Sequence, residues 1–202
     1  DISLDQIRIL AKDNTNFALS FYEKIRQEEG NIIFSPISLS LALSMALAGA
    51  ETSTEETMIE ALQFSIPEDE IHPTFNALVL AIEESQELPM EESEGDEFQL
   101  NIANSIWGQA GYDFEQDFLD ILARNYGAGM YVVDYIGNPE NARQLINNWV
   151  EDETQEKIKD LIPQGAIDTL TRLVLANAIY FNAAWQHPFD EEGTQKAPFI
   201  AL

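Results

Sequence analysis

The 202-residue chain has 36 acidic and 10 basic residues, which gives a formal net charge of −26. This charge repels nucleic-acid phosphates and anionic membrane surfaces, so neither nucleic acid nor a membrane is expected as a partner. The chain has no cysteine, which excludes disulfides, thiolate catalysis and zinc sites built on sulfur.

The first elements predicted along the chain are a helix and a short strand. Residues 3–28 place apolar side chains at helical spacing, and Gly30 is a residue that commonly follows the end of a helix. Residues 31–34 are apolar and predict a short strand. Because 45% of the residues are hydrophobic, the chain can form one sizeable core and is expected to be one domain or part of one.

The next predicted helix, residues 37–50, is apolar on almost every side and is therefore expected to be buried all round. It carries polar side chains that are candidates for hydrogen bonds inside the core. These are the serines Ser38, Ser40 and Ser44.

A capping box predicts the start of a third helix, which runs to about residue 64. In this motif a hydroxyl side chain and an acidic side chain three residues later satisfy each other's backbone amides. Two overlapping pairs fit it, namely Thr52 with Glu55 and Ser53 with Glu56.

A fourth, amphipathic helix is predicted over residues 69–87, and an acidic segment overlaps its end. Residues 83–97 contain no basic side chain, so a solvated loop is expected there. A docking site for a basic ligand is the alternative. A calcium site has weak support, because the spacing of the carboxylates matches no known calcium loop.

The second half of the chain alternates strands with helices. Strands are predicted at residues 98–109 and 130–136. Between them lies a helix that begins near Asp113 and ends at Gly127. A further helix is predicted from residue 139, with Asn138 as its N-cap and Pro139 in its first turn. One of its sides is apolar and the other charged, so it is expected to lie on a sheet.

The last predicted strand, residues 173–181, is apolar except for one amide, Asn177. A strand that is apolar on both faces belongs in the middle of a sheet that is covered on both sides. An unsatisfied buried amide costs on the order of 1–3 kcal/mol, so Asn177 is expected to find hydrogen-bond partners elsewhere in the chain.

No pattern of residues predicts an enzyme. The two histidines, His72 and His187, each precede a proline, and a surface or structural role is the default for both. Phosphate-binding, HExxH and EF-hand patterns are absent from the sequence, so no cofactor or metal is expected. No run reaches the ~18–20 apolar residues of a membrane span. No signal peptide is visible at the start of the chain.

Three blocks of the sequence resemble the serpin family, in the order that the family has them. NIIFSPISLSLALSMALAGAETSTEETMIEALQF, residues 31–64, is similar to the serpin stretch from strand 6 of sheet B through helices B and C. INNWVEDETQEKIKDLI, residues 146–162, resembles the end of helix F and the turn after it. LVLANAIYFNAAWQHPF, residues 173–189, resembles strand 3 of sheet A and its following turn.

The resemblance implies an α+β serpin fold, of which residues 1–202 form the N-terminal part of a single domain. That part comprises helices A–F and strands 1–3 of the large mixed sheet A. A second chain or a C-terminal segment is expected to complete the fold, and helix B is expected to expose apolar surface until it does. The Lys-Gly that often follows the aromatic pair of strand 3A is Asn182 and Ala183 here, so the local turn is expected to differ.

The resemblance also implies roles for particular residues. Ser35, Ser38 and Asn177 match the serpin shutter, which lies under the centre of sheet A. Trp185 matches the breach tryptophan at the top of that sheet. Without the resemblance, Ser35 is a plain helix-start residue and Trp185 is a large core residue. The style of the sequence, including LARNYGAG at residues 122–129, is more typical of prokaryotic than of animal members.

For function, the resemblance implies suicide inhibition of a serine, or alternatively a cysteine, endopeptidase. The cleaved reactive loop of the inhibitor inserts beside strand 3 of sheet A, and the target protease is the partner. One alternative is a non-inhibitory serpin that acts in binding, in storage or like a chaperone. Another is an unrelated acidic binding module. An extracellular or cell-envelope location is expected rather than a cytoplasmic one.

Overall fold

The computed structural model describes residues 2–86, 99–127, 130–185, 187, 190 and 192–198. These residues form helices and a small mixed sheet, which confirms the predicted α+β class. In chain order the elements are α1 Leu4–Ile25, α2 Pro36–Leu47, α3 Thr52–Leu62, α4 Glu68–Gln86, β1 Gln99–Gln109, α5 Gln116–Tyr126, β2 Met130–Val133, α6 Pro139–Glu153 and β3 Leu173–Asn182. None of the described helices combines the length and apolar character needed to cross a membrane.

Helix ends that depend on local chemistry lie where the sequence predicts them. The side chain of Asn138 accepts a hydrogen bond of 3.3 Å from the backbone N–H of Asn141, and Pro139 occupies the first position of α6. Gly127 ends α5 with a φ of 58°, a left-handed conformation that glycine adopts without steric cost. The predictions for these two ends are confirmed.

The predicted capping box of α3 is wrong. The N-cap of this helix is Glu51, and its side chain makes no capping hydrogen bond. Thr52 has a φ of 55°, whereas a capping hydroxyl needs extended backbone at the N-cap, so Thr52 cannot cap the helix. The box that does form is at α1, where the Ser3 and Gln6 side chains each accept from the other's backbone N–H.

The predicted strand at residues 31–34 is also wrong for the described structure. These residues have no strand assignment, and the Ile33 side chain is 97% exposed. A strand needs a neighbouring strand to satisfy its backbone, and the described sheet contains β1, β2 and β3 alone. The acidic segment predicted to be a loop falls largely on residues 87–98, which lie outside the described residues.

The sheet has the strand order β2-β1-β3. Strand β1 runs parallel to β2 and antiparallel to β3. The register places Asn104 of β1 directly opposite Asn177 of β3. On the other side of β1 it places Trp107 opposite Tyr131, and their rings stack with centroids 4.4 Å apart.

Side chains alternate between the two faces of this sheet, and each face is covered by helices. Trp107 and Ala176 point to one face, where they pack with Ala142 and Ile146 of α6. The prediction that this helix lies on a sheet is confirmed, and the alternative of an unrelated acidic module without this arrangement is excluded. The other face carries Ile106, which packs with Met45 of α2 and Leu122 of α5.

Helix α2 lies between the sheet and the remaining helices, as its apolar surface predicts. Its residues Leu41 and Leu47 belong to a core shared with α1, α3 and α4. Its serines Ser40 and Ser44 are completely buried. The sequence predicts that this helix exposes apolar surface. Among its large apolar side chains Leu43 is 40% exposed, whereas Leu41, Met45 and Leu47 are buried, so the exposed surface is smaller than expected.

Candidate functional site

The candidate site lies where the start of α2 meets the middle of β3. Helix α2 begins at this point because Ser35 is its N-cap and Pro36 takes its first position. The Ser35 side chain accepts a hydrogen bond of 3.3 Å from the backbone N–H of Ser38. The Ser38 hydroxyl therefore lies in the first turn of the helix, and that side chain is buried against the sheet.

The amide of Asn177 uses both of its ends in this site. Its Oδ1 accepts a hydrogen bond from the Ser38 hydroxyl, and its Nδ2 donates to Oδ1 of Asn104 at 2.8 Å. The prediction that Asn177 finds polar partners inside the fold is confirmed. Of the two serines considered, Ser38 contacts the amide directly, and Ser35 acts on it through the backbone of Ser38. We call Ser35, Ser38, Asn104 and Asn177 the shutter cluster.

Asn104 is the member of the shutter cluster that the sequence analysis missed. The alternation of Leu100 and Ile102 in β1 assigns even-numbered residues to one face, and Asn104 continues that series. A polar side chain on an otherwise apolar face was therefore a visible signal. The pairing of β1 with β3 was not predictable from the chain, and without it nothing connects Asn104 to Asn177.

Hydrogen bonds of the shutter cluster connect α2, β3 and β1, which lie far apart in the sequence. One bond ties β3 to α2, the other ties β3 to β1, and both converge on a single amide. Each of these groups would be left without its partner if β3 moved relative to α2 or β1, so the cluster stabilises the observed arrangement of the three elements.

Ser35→Ala is expected to lower the free energy of unfolding by about 1 kcal/mol, since it removes an N-cap. The backbone N–H of Ser38 loses its acceptor, but the Ser38 hydroxyl keeps its bond to Asn177. Urea denaturation measures the change in the free energy of unfolding. Ser35→Asp, which preserves a capping oxygen, is the control for Ser35→Ala. An equal loss in both variants would contradict the capping role.

Trp185 lies three residues beyond the end of β3 at Asn182, and its side chain is 73% exposed. Its assignment to the breach and the alternative of a large core residue both stay predictions.

The opposite face of the sheet is covered by α6 and by the segment that follows it. The Asn147 amide, which is buried, accepts from the backbone N–H of Ile162 at 2.8 Å and donates to its carbonyl at 3.0 Å. Arg143 donates to the same carbonyl at 2.7 Å and pairs with Glu140. The hydrogen bond from Arg143 lowers the pKa of Glu140. These contacts fasten the segment to α6.

Comparison with protein families matches residues 12–202 to the family described as serpin (serine protease inhibitor). A leukocyte elastase inhibitor from Sus scrofa is 38% identical over 192 residues, which are 94% of this chain and 48% of the relative. Serpin B3 from Homo sapiens is 37% identical over 206 residues, covering 94% of the chain and 50% of the relative. A serpin-like protein of the archaeon Methanosarcina acetivorans is 34% identical, with 94% and 44% covered.

Among solved structures, a cleaved form of Serpin 42Da superposes with a TM-score of 0.80 at 32% identity. It is matched over 94% of this chain and 48% of its own length. The chain thus spans about half the length of the relatives it matches.

The expectation of an extracellular or cell-envelope location is wrong. The matched leukocyte elastase inhibitors and serpin B3 belong to the intracellular group of their family, which has no signal peptide.

Proposed function

The chain belongs to the serpin family, and from this premise we propose that the protein containing it is an inhibitor of a serine endopeptidase and not an enzyme. In this mechanism the protease serine attacks the scissile carbonyl of a reactive loop and forms an acyl ester. The amine half of the loop leaves, and the acylated half inserts beside β3 as a new strand. Insertion displaces and distorts the protease before water can cleave the ester.

The observation that carries this proposal is the match of residues 12–202 to the serpin family, together with the hydrogen bonds that converge on Asn177 of β3. Strand β3 pairs with β1 on one side, and the mechanism places the inserted strand on its other side. An inserted strand pairs with the backbone groups of β3 on that side. Asn177 lies near the midpoint of the edge, where a strand must pass if the sheet is to open.

We propose that residues 1–202 are the N-terminal part of one serpin domain, with helices A–F and strands 1–3 of sheet A. A C-terminal segment or a second chain then completes it. The coverage of the relatives supports this, because the chain matches 48% of a leukocyte elastase inhibitor and 48% of the cleaved Serpin 42Da structure. The exposed Ile33 lies in the segment that resembles a strand of sheet B, and a neighbouring strand from the remainder of the domain would cover it.

The shutter role of Ser35, Ser38 and Asn177 and the breach role of Trp185 are part of this proposal. The bonds that converge on Asn177 support the first, because they tie β3, the strand beside which the loop would insert, to α2 and to β1. The exposed position of Trp185 just beyond β3 supports the second, because a side chain there can meet the leading end of an inserting loop.

The test is formation of a covalent complex that survives denaturing electrophoresis. The full-length protein is incubated with an elastase-like, a chymotrypsin-like and a papain-like protease, because five of the matched relatives are named for elastase inhibition. With at least one serine protease we expect a band at the summed mass less that of the C-terminal fragment that leaves on acylation. A catalytically dead protease with the same surface is the control and forms no such band.

Cleavage of the loop without a covalent complex, and without a gain in thermal stability, would overturn the inhibitor proposal. That result would favour the alternative, a non-inhibitory serpin that acts by binding or storage. A complex with the papain-like protease alone would change the target class to cysteine endopeptidases. The prokaryotic origin stays a proposal that rests on sequence style, and the archaeal relative supports it without deciding it.

A further inference from the structure

A cleft opens beside the first residues of β3, where α2 ends and α5 begins. Its volume is about 650 Å³, and pockets of about 300–1,000 Å³ are typical of ligand sites in proteins. Its lining residues come from three segments of the chain, residues 46–51, 112–118 and 172–175. We call it the α2–α5 cleft. The shutter cluster lies at the other end of α2, so the cleft is a separate feature of the fold.

Small side chains leave the interior of the α2–α5 cleft open. At the end of α2 and just beyond it, the lining consists of Ala46, Ala48, Gly49 and Ala50. A Cβ added at Gly49 would lie 3.1 Å from Cδ2 of Phe118, so the phenylalanine ring packs directly on this backbone. The apolar part of the lining also includes Phe114, Leu173 and Leu175. A large apolar side chain from a partner therefore has room to be buried here.

The lining also includes carboxylates from two separate segments. They are Glu51, which precedes α3, and Asp113, Glu115 and Asp117 around the start of α5. All four residues are exposed, so their charges lie where the cleft meets solvent. No ion pair among the described residues involves any of the four. Their negative charges are therefore available to a partner.

One basic residue, Arg172, also lines the α2–α5 cleft. Its Nη1 donates to the carbonyls of Thr169 and Thr171 at 2.9 Å each, which fixes the guanidinium against its own segment of the chain. One guanidinium offsets the charge of one carboxylate, so the lining as a whole stays negative. An anionic ligand would meet a net repulsion here, whereas a cationic ligand would be attracted.

We propose that the α2–α5 cleft is a docking site for a basic segment of a partner protein. A phenylalanine or leucine of that segment enters the cleft, and the lysines or arginines that flank it pair with the carboxylates. Carboxylates on two segments call for several cations, so a peptide matches the site better than a small amine with a single charge. The net charge of −26 also attracts a basic partner from a distance. The site does not depend on whether the protein inhibits a protease.

Both parts of the docking segment contribute to its affinity. Burial of a phenylalanine or leucine side chain is expected to raise the affinity by more than about tenfold. Each ion pair with an exposed carboxylate adds less, because water and salt screen it, so loss of two carboxylates is expected to weaken binding about fivefold. The remainder of the domain must leave the cleft open for docking, and the test therefore uses the full-length protein.

The probe is a fluorescent hexapeptide with phenylalanine and leucine between two pairs of arginines, and fluorescence anisotropy measures its binding. A control hexapeptide, with serine and glycine in place of the apolar pair, measures attraction by the net charge alone. The cleft variant Asp113→Asn/Asp117→Asn removes two carboxylates of the lining. The α4 variant Glu83→Gln/Glu84→Gln removes the same charge from exposed residues elsewhere. The filling variant Ala48→Leu places a larger side chain in the cleft.

We expect the apolar hexapeptide to bind the unaltered protein more than about tenfold more tightly than the control hexapeptide. Its binding should weaken about fivefold in the cleft variant, change less than about twofold in the α4 variant and be lost in the filling variant. No binding to the full-length protein, equal affinity of the two hexapeptides, or an equal loss in the two charge variants would overturn the proposal. If the filling variant does not fold, hydrogen exchange replaces it. Protection of residues 112–118 by the bound hexapeptide supports the site, and protection confined to other segments refutes it.

Discussion

Asn177→Ala is expected to lower the free energy of unfolding of the full-length protein by about 2–4 kcal/mol, because it removes two side-chain hydrogen bonds and leaves their partners unsatisfied. Ser38 loses its acceptor, and Oδ1 of Asn104 loses its donor. Ser38 is buried and Asn104 is partly buried, on the face of the sheet that α2 covers. If the shutter role is correct, the weakened sheet also opens more readily, and the variant forms polymers on mild heating.

Urea denaturation and native gel electrophoresis after heating measure the two effects. Ser38→Ala and the double variant Asn177→Ala/Ser38→Ala complete a cycle that isolates the bond between them. We expect the double variant to be more stable than the sum of the single losses predicts, because each single change already breaks the shared bond. Additive losses would show that the bond contributes nothing. Unchanged stability with no polymer would refute both the contact and the shutter role.

The need for partners at Asn177 was predictable from the sequence, and their identity was predictable only in part. An amide in an apolar strand needs hydrogen bonds wherever the strand lies, so a single residue was enough to state the requirement. Ser38 was available as a candidate because α2 is apolar on almost every side. Asn104 could not be predicted as a partner, because its contact with Asn177 depends on the antiparallel register of β1 and β3, which no local pattern specifies.

The failures of prediction have the same cause. The strand expected at residues 31–34 has suitable side chains, but a strand exists only where another strand pairs with it, and the described residues provide none there. The capping box expected at Thr52 has suitable residue types, but the turn from α2 sets a positive φ at that position. By contrast, the Asn138 cap depends on neighbours within the same turn, and it forms as predicted.

Asn147→Ala is expected to lower the free energy of unfolding by about 1–3 kcal/mol, because the backbone N–H of Ile162 loses its acceptor in a partly buried position. Arg143 still donates to the Ile162 carbonyl, so the group left without a partner is the backbone N–H of Ile162. The segment after α6 then lies less firmly over the sheet. Asn148→Ala is the matched control, since Asn148 is the next residue on α6 and is exposed. It should change stability by less than about 0.5 kcal/mol.

The same pair of variants tests whether α6 resists opening of the sheet. Trp107 and Ala176, from β1 and β3, pack beneath α6, so a strand that enters beside β3 must move β3 relative to this cover. In the full-length protein, Asn147→Ala should therefore speed the conversion to a loop-inserted form, seen as a faster gain of thermal resistance during incubation. Asn148→Ala should not. If Asn147→Ala loses stability but neither variant converts faster, α6 stabilises the folded sheet and does not limit the rate at which a strand inserts beside β3.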